Sequence, residues 1–214
     1  MASTYEALME EKNRNLRVHG PEYLRKLTHA FNDEIYVAIQ MLGEDLKTAW
    51  DMNKRVYIIG NGGSAANAIH IANDLHYGIG ACGESVPICG LRVEALTANS
   101  AIMSCLGNDI GYERIFAHQI KQKAEPGDLL IALSGSGNSK NIVNALAEAE
   151  MIGMNTHVIL GYSGGQCAKI AKKIIHFKVN DMQIAEDCQL IVSHMCMQWL
   201  SQNKPRSESN GGKR

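Results

Sequence analysis

Two short segments of this sequence carry the residue types that bind an anion. Gly60-Asn61-Gly62-Gly63-Ser64 and Ser134-Gly135-Ser136-Gly137-Asn138-Ser139 each follow an apolar run and precede a helical pattern. Glycines let backbone amides approach a ligand closely. A helix N-terminus adds free N–H groups and partial positive charge, and serine hydroxyls add neutral donors. The result is a phosphate cradle without lysine or arginine in its loops. A single Gly/Ser loop is more often a tight turn with a helix cap; two at neighbouring strand ends point to a site on which Ser64, Ser134, Ser136 and Ser139 converge. Neither loop ends in the Gly-Lys-Ser/Thr of a P-loop, and neither sits in the dinucleotide-binding G-x-G-x-x-G context, although GSGNSK comes near. A monophosphate fits better than a pyrophosphate.

The helical segments after the loops add ionisable groups. Beyond Ser64, the polar residues Asn67, His70, Asp74 and Tyr77 recur at spacings of 3, 4 and 3 on an otherwise apolar helix and form one stripe. A His/Asp pair at i, i+4 can share a metal or perform acid–base chemistry; it is also a common surface contact worth a few tenths of a kcal/mol. The last helical pattern, Ala185 to Leu200, is apolar nearly all round after Gln189, which implies burial, and His194 is the ionisable side chain there. Glu186 lies eight residues earlier, about 12 Å along a straight axis. Both serve one site only if Glu186 sits at or before the helix start.

The elements that must position these groups follow from periodicity. The runs Arg55–Gly60, Val86–Leu91, Asp128–Ser134, Thr156–Gly161 and Lys173–Val179 are rich in Val, Ile and Leu without clean alternation, as buried parallel strands are. Helical patterns lie near 64–77, 94–104, 111–123, 138–152, 164–171 and 184–202. Repeating β-α units predict an α/β fold, a flavodoxin-like doubly wound five-stranded parallel sheet, with ligands beyond the C-terminal strand ends. A helix is expected from Pro21 to about Asn53, with Leu24, Leu27, Phe31, Ile35, Ala38, Leu42, Leu46 and Ala49 on one stripe and Tyr36, Ile39, Met41 and Trp50 as a second apolar side. The second side suits packing between subunits. The chain thus divides into an N-terminal helical extension for oligomerisation (1–53, of which 1–20 are polar and loosely held), a sheet domain (54–202) and a disordered tail (203–214).

Composition limits the alternatives. The 214 residues are 45% hydrophobic and 20% charged with a net charge of −1, the balance of a soluble globular protein. No basic excess supports nucleic-acid binding, and no apolar run approaches the roughly 18 residues of a membrane span. The polar, acidic N-terminus is neither a signal nor a transit peptide, so a cytoplasmic location is expected. The six cysteines form no CxxC pair and read as small core hydrophobes of a reducing compartment.

In order, GNGGSAANAIH, LGNDIGYERIF, LSGSGNS and MQIAEDCQLIVSH resemble the sugar isomerase (SIS) family and, within it, the sedoheptulose 7-phosphate isomerases, over about residues 20–200. The resemblance implies a phosphate site of Asn61, Gly62, Gly63, Ser64, Ser134, Gly135, Ser136 and Ser139, with Asn108 and Asp109 as a sugar-contacting pair. It implies one zinc-type ion per subunit on His70, Asp74, Glu186 and His194, and a homotetramer with shared active sites. Asp74 stands where the family commonly has Glu, Glu186 where Gln is common, Gly78 where some members have Arg, and Gln189 where some have His. The implied activity is aldose–ketose isomerisation of sedoheptulose 7-phosphate to a glycero-manno-heptose 7-phosphate through an enediolate, the first step of heptose-nucleotide synthesis. In it Asp74 is the base, His194 the general acid, and Asp74 and Glu186 also contact substrate. Three other readings of the fold are an isomerase of another sugar phosphate, a non-catalytic protein that binds a replication initiator, and a sugar-phosphate-sensing regulator; the last usually adds a helix-turn-helix domain for which this chain has no room.

Overall fold

The structure, a computed structural model, describes residues 15–81 and 87–205. Strands β1 (Arg55–Ile59), β2 (Arg92–Ala95), β3 (Leu129–Ser134), β4 (Asn155–Leu160) and β5 (Lys173–His176) form one all-parallel sheet in the order β2-β1-β3-β4-β5. This is the doubly wound flavodoxin-like order, whose switch point lies between β1 and β3. β3 is buried at every residue and β1 at all but Arg55, which is why both read as unbroken apolar runs.

The helices are α1 (Leu16–His29), α2 (Asp33–Asp51), α3 (Gly63–Asn73), α4 (Ile79–Ala81), α5 (Ser100–Asp109), α6 (Ile115–Lys123), α7 (Lys140–Ile152), α8 (Cys167–Ile170) and α9 (Met182–Gln202). A π-helical turn, Asp74–Gly78, continues α3, and a 3₁₀ turn, Tyr112–Arg114, precedes α6. Alternate strand residues face opposite sides of the sheet. On one side Ile58, Ile131 and Ile159 meet Leu42 and Leu46 of α2, Ile71 of α3 and Val192 of α9. On the other, Tyr57, Leu130 and Val158 meet Phe116 of α6 and Ile142 and Leu146 of α7.

Five sequence expectations are corrected. The helix expected from Pro21 to Asn53 is two helices: α1 begins at Leu16, capped by Asn15, and α2 restarts after Asn32, whose Oδ1 accepts the Ile35 N–H at 3.0 Å. Residues 16–20, expected to be loose, are therefore helical. The second strand is Arg92–Ala95. Pro87 lacks an N–H, Ile88 donates to the Gly80 carbonyl, and Leu91 donates to that of Leu75 at 2.9 Å, so Pro87–Leu91 bonds to the end of the α3 segment instead of a sheet. The helix expected at 94–104 is displaced to Ser100–Asp109, where Asn99 caps it. Cys167, Cys188 and Cys196 are buried, whereas Cys89 and Cys105 are exposed; burial pushes the Cys167 thiol up to about 11 and those of Cys188 and Cys196 up to about 12. Cys82 and the tail from 206 lie outside the described residues.

α2 is bolted to the sheet by a charged cluster. One oxygen of Asp45 accepts from His157 Nε2 on β4 at 2.7 Å and from Lys173 Nζ on β5 at 2.6 Å. His157 is fully buried, and its Nδ1 has no hydrogen-bond partner among the described residues.

Candidate functional site

Both Gly/Ser loops leave the C-terminal ends of the two central strands. In the first, Gly62 takes φ 55° and ψ −122° as the N-cap of α3, a conformation that favours glycine. Among the described residues no side chain caps this helix, so its leading amides keep their capacity for an anion. In the second loop, Ser134 Oγ accepts from Gly137 N at 3.0 Å, and Ser136 Oγ accepts from Asn138 N at 3.3 Å. Ser139 is the N-cap of α7 and makes no side-chain capping bond. The two loops are tied together: Asn61 and Asn141 exchange amide hydrogen bonds of 2.9 and 2.8 Å, and Tyr112 Oη donates to Asn61 Oδ1 at 2.9 Å.

Between the loops lies a cleft of about 250 Å³, lined by Asn61, Gly62, Gly63, Ser64, Ser134, Gly135, Ser136 and Ser139, with Leu133, Met182 and Glu186. Ser64 and Ser134 are buried, while Ser136 and Ser139 are partly open. Met182 packs its sulfur against Gly135.

α3 and α9 lie side by side and run in the same direction. Glu186 faces Gly63, Gln189 bonds Ser64 and Asn67, and His194 meets His70. The cluster at the far end of this pair has His70 Nε2 3.0 Å from His194 Nε2 and 3.3 Å from Asp74 Oδ2, which is 3.5 Å from His194 Nε2. The π-helical turn starts at Asp74 and leaves the Leu75 carbonyl to accept from Leu91; such widened turns recur at functional sites. Two imidazole nitrogens and a carboxylate oxygen at these separations suit one divalent ion. Ligands at about 2.1 Å on a tetrahedral centre lie about 3.4 Å apart, close to all three distances.

Three placements differ from the sequence expectation. Glu186 does not join His70, Asp74 and His194. Asp181 caps α9 and the helix begins at Met182, so Glu186 is inside the helix, about 12 Å from His194 along the axis, with its carboxylate against the place a Gly63 side chain would occupy. His194 is exposed rather than buried, as is the adjacent Met195, because among the described residues nothing covers that face of α9. Asn108 and Asp109 close α5 as an exposed pair bonded to each other at 2.8 Å, outside the lining of the cleft. Sequence reasoning missed Asn141, a polar residue buried on the helix face that carries Ile142, Ala145, Leu146 and Ala149. Its place just after the second loop, on an apolar helix face, was the available signal.

Comparison with known proteins gives a consistent picture. The SIS domain model matches residues 21–161. A phosphoheptose isomerase of Geotalea daltonii is 33% identical over 171 residues, covering 80% of this chain and 86% of its own. One of Mycobacterium bovis is 34% identical over 168 residues, covering 78% and 83%. The solved structure of phosphoheptose isomerase GmhA from Neisseria gonorrhoeae superposes with a TM-score of 0.78 at 24% identity, covering 91% of this chain and 99% of that one.

Proposed function

The chain belongs to the SIS domain family and to its phosphoheptose isomerase branch, and from that premise we propose that it converts sedoheptulose 7-phosphate to the corresponding aldose phosphate, a glycero-manno-heptose 7-phosphate, through an enediolate. One observation carries the reading: the anion cleft and the His70/Asp74/His194 cluster lie on the same two helices. Seven residues of α3 separate Gly63 from His70, an advance of about 10 Å, the span of an extended sugar phosphate of six or seven carbons.

The phosphate occupies the cleft, held by Ser64, Ser134, Ser136 and Ser139 and by the leading amides of α3 and α7. The carbonyl end of the open-chain sugar then lies beside Asp74. As base, Asp74 removes a proton from C1; the C–H electron pair forms the C1–C2 double bond, and His194 protonates the C2 oxygen. The proton held by Asp74 returns to C2 while the C1 oxygen loses its own to His194, leaving an aldehyde with no net gain or loss of atoms or electrons. His70, Asp74 and His194 are the residues that would hold a divalent ion, zinc in this proposal, one per subunit; with its Nε2 on the ion, the His194 ring would keep its Nδ1–H as the acid. Such an ion supplies polarisation of the substrate oxygens. Glu186, in the cleft wall, accepts from a hydroxyl of the sugar.

The assembly is proposed as a homotetramer with sites completed between subunits. α2 buries Ile35, Ile39, Leu42 and Leu46 yet exposes Tyr36, Val37 and Met41, and Asn108, Asp109 and the open face of His194 are available to a neighbouring copy. No described helix is long and apolar enough to cross a membrane, and we place the enzyme in the cytoplasm, with 1–53 serving assembly and 54–202 carrying the site. Incubation of the purified protein with sedoheptulose 7-phosphate, with the anomeric proton of the aldose followed by NMR, tests the reading; absence of an aldose product in the presence of zinc would refute it.

A further inference from the structure

A chain of hydrogen bonds behind the cleft has a defined direction. The Glu186 carbonyl is a backbone group and can only accept, so the Asn67 atom 3.0 Å from it is Nδ2. The same nitrogen lies 3.0 Å from the Gln189 side chain, which must therefore present Oε1 to it. That choice turns Gln189 Nε2 toward Ser64, where it donates to Oγ at 3.0 Å. Both amide orientations thus follow from one unambiguous acceptor and not from a choice between look-alike atoms. Gln189 and Ser64 are buried, so breaking the chain would strand a polar group.

With Oγ accepting from Gln189, the Ser64 hydroxyl keeps its hydrogen to give. Among the described residues it has no protein acceptor, and Ser64 lines the cleft. We propose that Gln189 is a positioning residue: with Asn67 it fixes Ser64 as an obligate donor to the phosphate of the substrate. This rests on the isomerase reading of the cleft. Gln189 touches no reacting atom; it acts by polarity. A carboxylate in its place would accept from Ser64 and turn that hydroxyl away from the anion. A carboxylate at Asn67 would reach the same end through an unchanged Gln189, whose amide would flip to donate to it and offer Oε1 to Ser64.

The test uses the full chain in its native assembly, with inorganic phosphate as the calorimetric probe and steady-state kinetics on sedoheptulose 7-phosphate. Gln189→Glu and Asn67→Asp are each made in the wild-type and the Ser64→Ala backgrounds. Each should raise the phosphate Kd and the substrate KM at least about tenfold, with kcat changed far less, and should raise Kd less than about threefold once Ser64 is alanine. A phosphate Kd unchanged by either folded variant overturns the proposal. So does a loss undiminished in the Ser64→Ala background, which would mark a charge or packing effect. If Gln189→Glu does not fold, Asn67→Asp decides, since it leaves Gln189 in place. Wild-type protein that neither binds phosphate nor turns over the sugar overturns the reading of the cleft and the relay with it; an active wild type with unmoved variants overturns the relay alone.

Discussion

Asp74 meets both imidazoles of the cluster through one oxygen, Oδ2, while its Oδ1 is turned toward Asn73 Nδ2 at 3.5 Å. The second oxygen accepts one long bond, from Asn73, and keeps a lone pair to take a proton from carbon. Asp74→Asn, which keeps the shape and removes the base, should lower kcat by roughly 10²- to 10⁴-fold with a far smaller change in KM, as steady-state assays would show. His194→Ala should do the same. Full activity in both variants would move the base elsewhere, Glu186 being the carboxylate in the cleft wall. His70→Ala should abolish metal content by elemental analysis while leaving phosphate affinity within about twofold, because the cluster and the cleft are about 10 Å apart along α3. A variant that keeps a full complement of zinc would show that the cluster is not the metal site.

At the scale of elements, the Asp45–His157–Lys173 bolt gives α2 a dependence on pH. Burial, opposed by the Asp45 contact, pulls the His157 pKa below its ordinary value. Burial acts to raise Asp45, but its bonds to Lys173 and His157 hold it below the usual carboxylate range. In both cases the folded state binds fewer protons than the unfolded one, so stability is lost as pH falls, from about 6.5 downward for His157 and from about 3.9 downward for Asp45. His157→Gln should flatten the fall in Tm between pH 7 and 5. At neutral pH it should cost about 1–3 kcal/mol through the disturbed buried bond, read from urea unfolding; an unchanged slope would show that His157 does not take up the proton. Legibility also divides by element. The β1 and β3 runs and their loops were readable because a central strand is apolar throughout and a Gly/Ser loop stands out after it. The α1–α2 break was not, because Leu27, Phe31 and Ile35 continue the helical spacing across it; Phe31 packs on Phe177 at 5.0 Å from within the break. The signal that competed was Asn32 followed by Asp33 and Glu34, an N-cap with acids in the first turn. Val86–Leu91 had strand composition, yet Pro87 and bonds to the α3 segment took it out of the sheet. Glu186 was misplaced with the metal ligands because residue type alone does not tell where α9 starts, and a cap at Asp181 separates it from His194 by two turns.

For the whole molecule, the test is mass in solution. Light scattering should give about four times the 23.4 kDa chain mass. Val37→Glu with Met41→Glu, on the exposed side of α2 where their charge meets no core contact, should reduce the species to monomers or dimers. Activity should fall with it if neighbouring copies complete the site. A double variant that remains tetrameric would place the interface elsewhere. Burial corrects the two apolar sides expected on α2: Ile39 and Trp50 of the second side lie in the core with Ile35, Leu42, Leu46 and Ala49 of the first, and only Tyr36 and Met41 of it reach the surface, a division that hydropathy does not show.

The placement of both Gly/Ser loops on β1 and β3 has a consequence for how the molecule opens. These strands are buried and flanked by neighbours on both edges, so their amide protons should exchange through global unfolding, whereas α1 and the edge strand β2 should open in smaller excursions. Openings that spare β1 and β3 therefore leave the anion site formed, and only the globally unfolded state lacks it. Saturating ligand, at a hundred times its Kd, would deepen that global state by about 2.7 kcal/mol and slow exchange in β1 and β3 accordingly, while leaving the fraying of α1 untouched. The anion site is thus built on the ends of the two strands expected to exchange most slowly, and ligand occupancy is thereby coupled to the global stability of the fold.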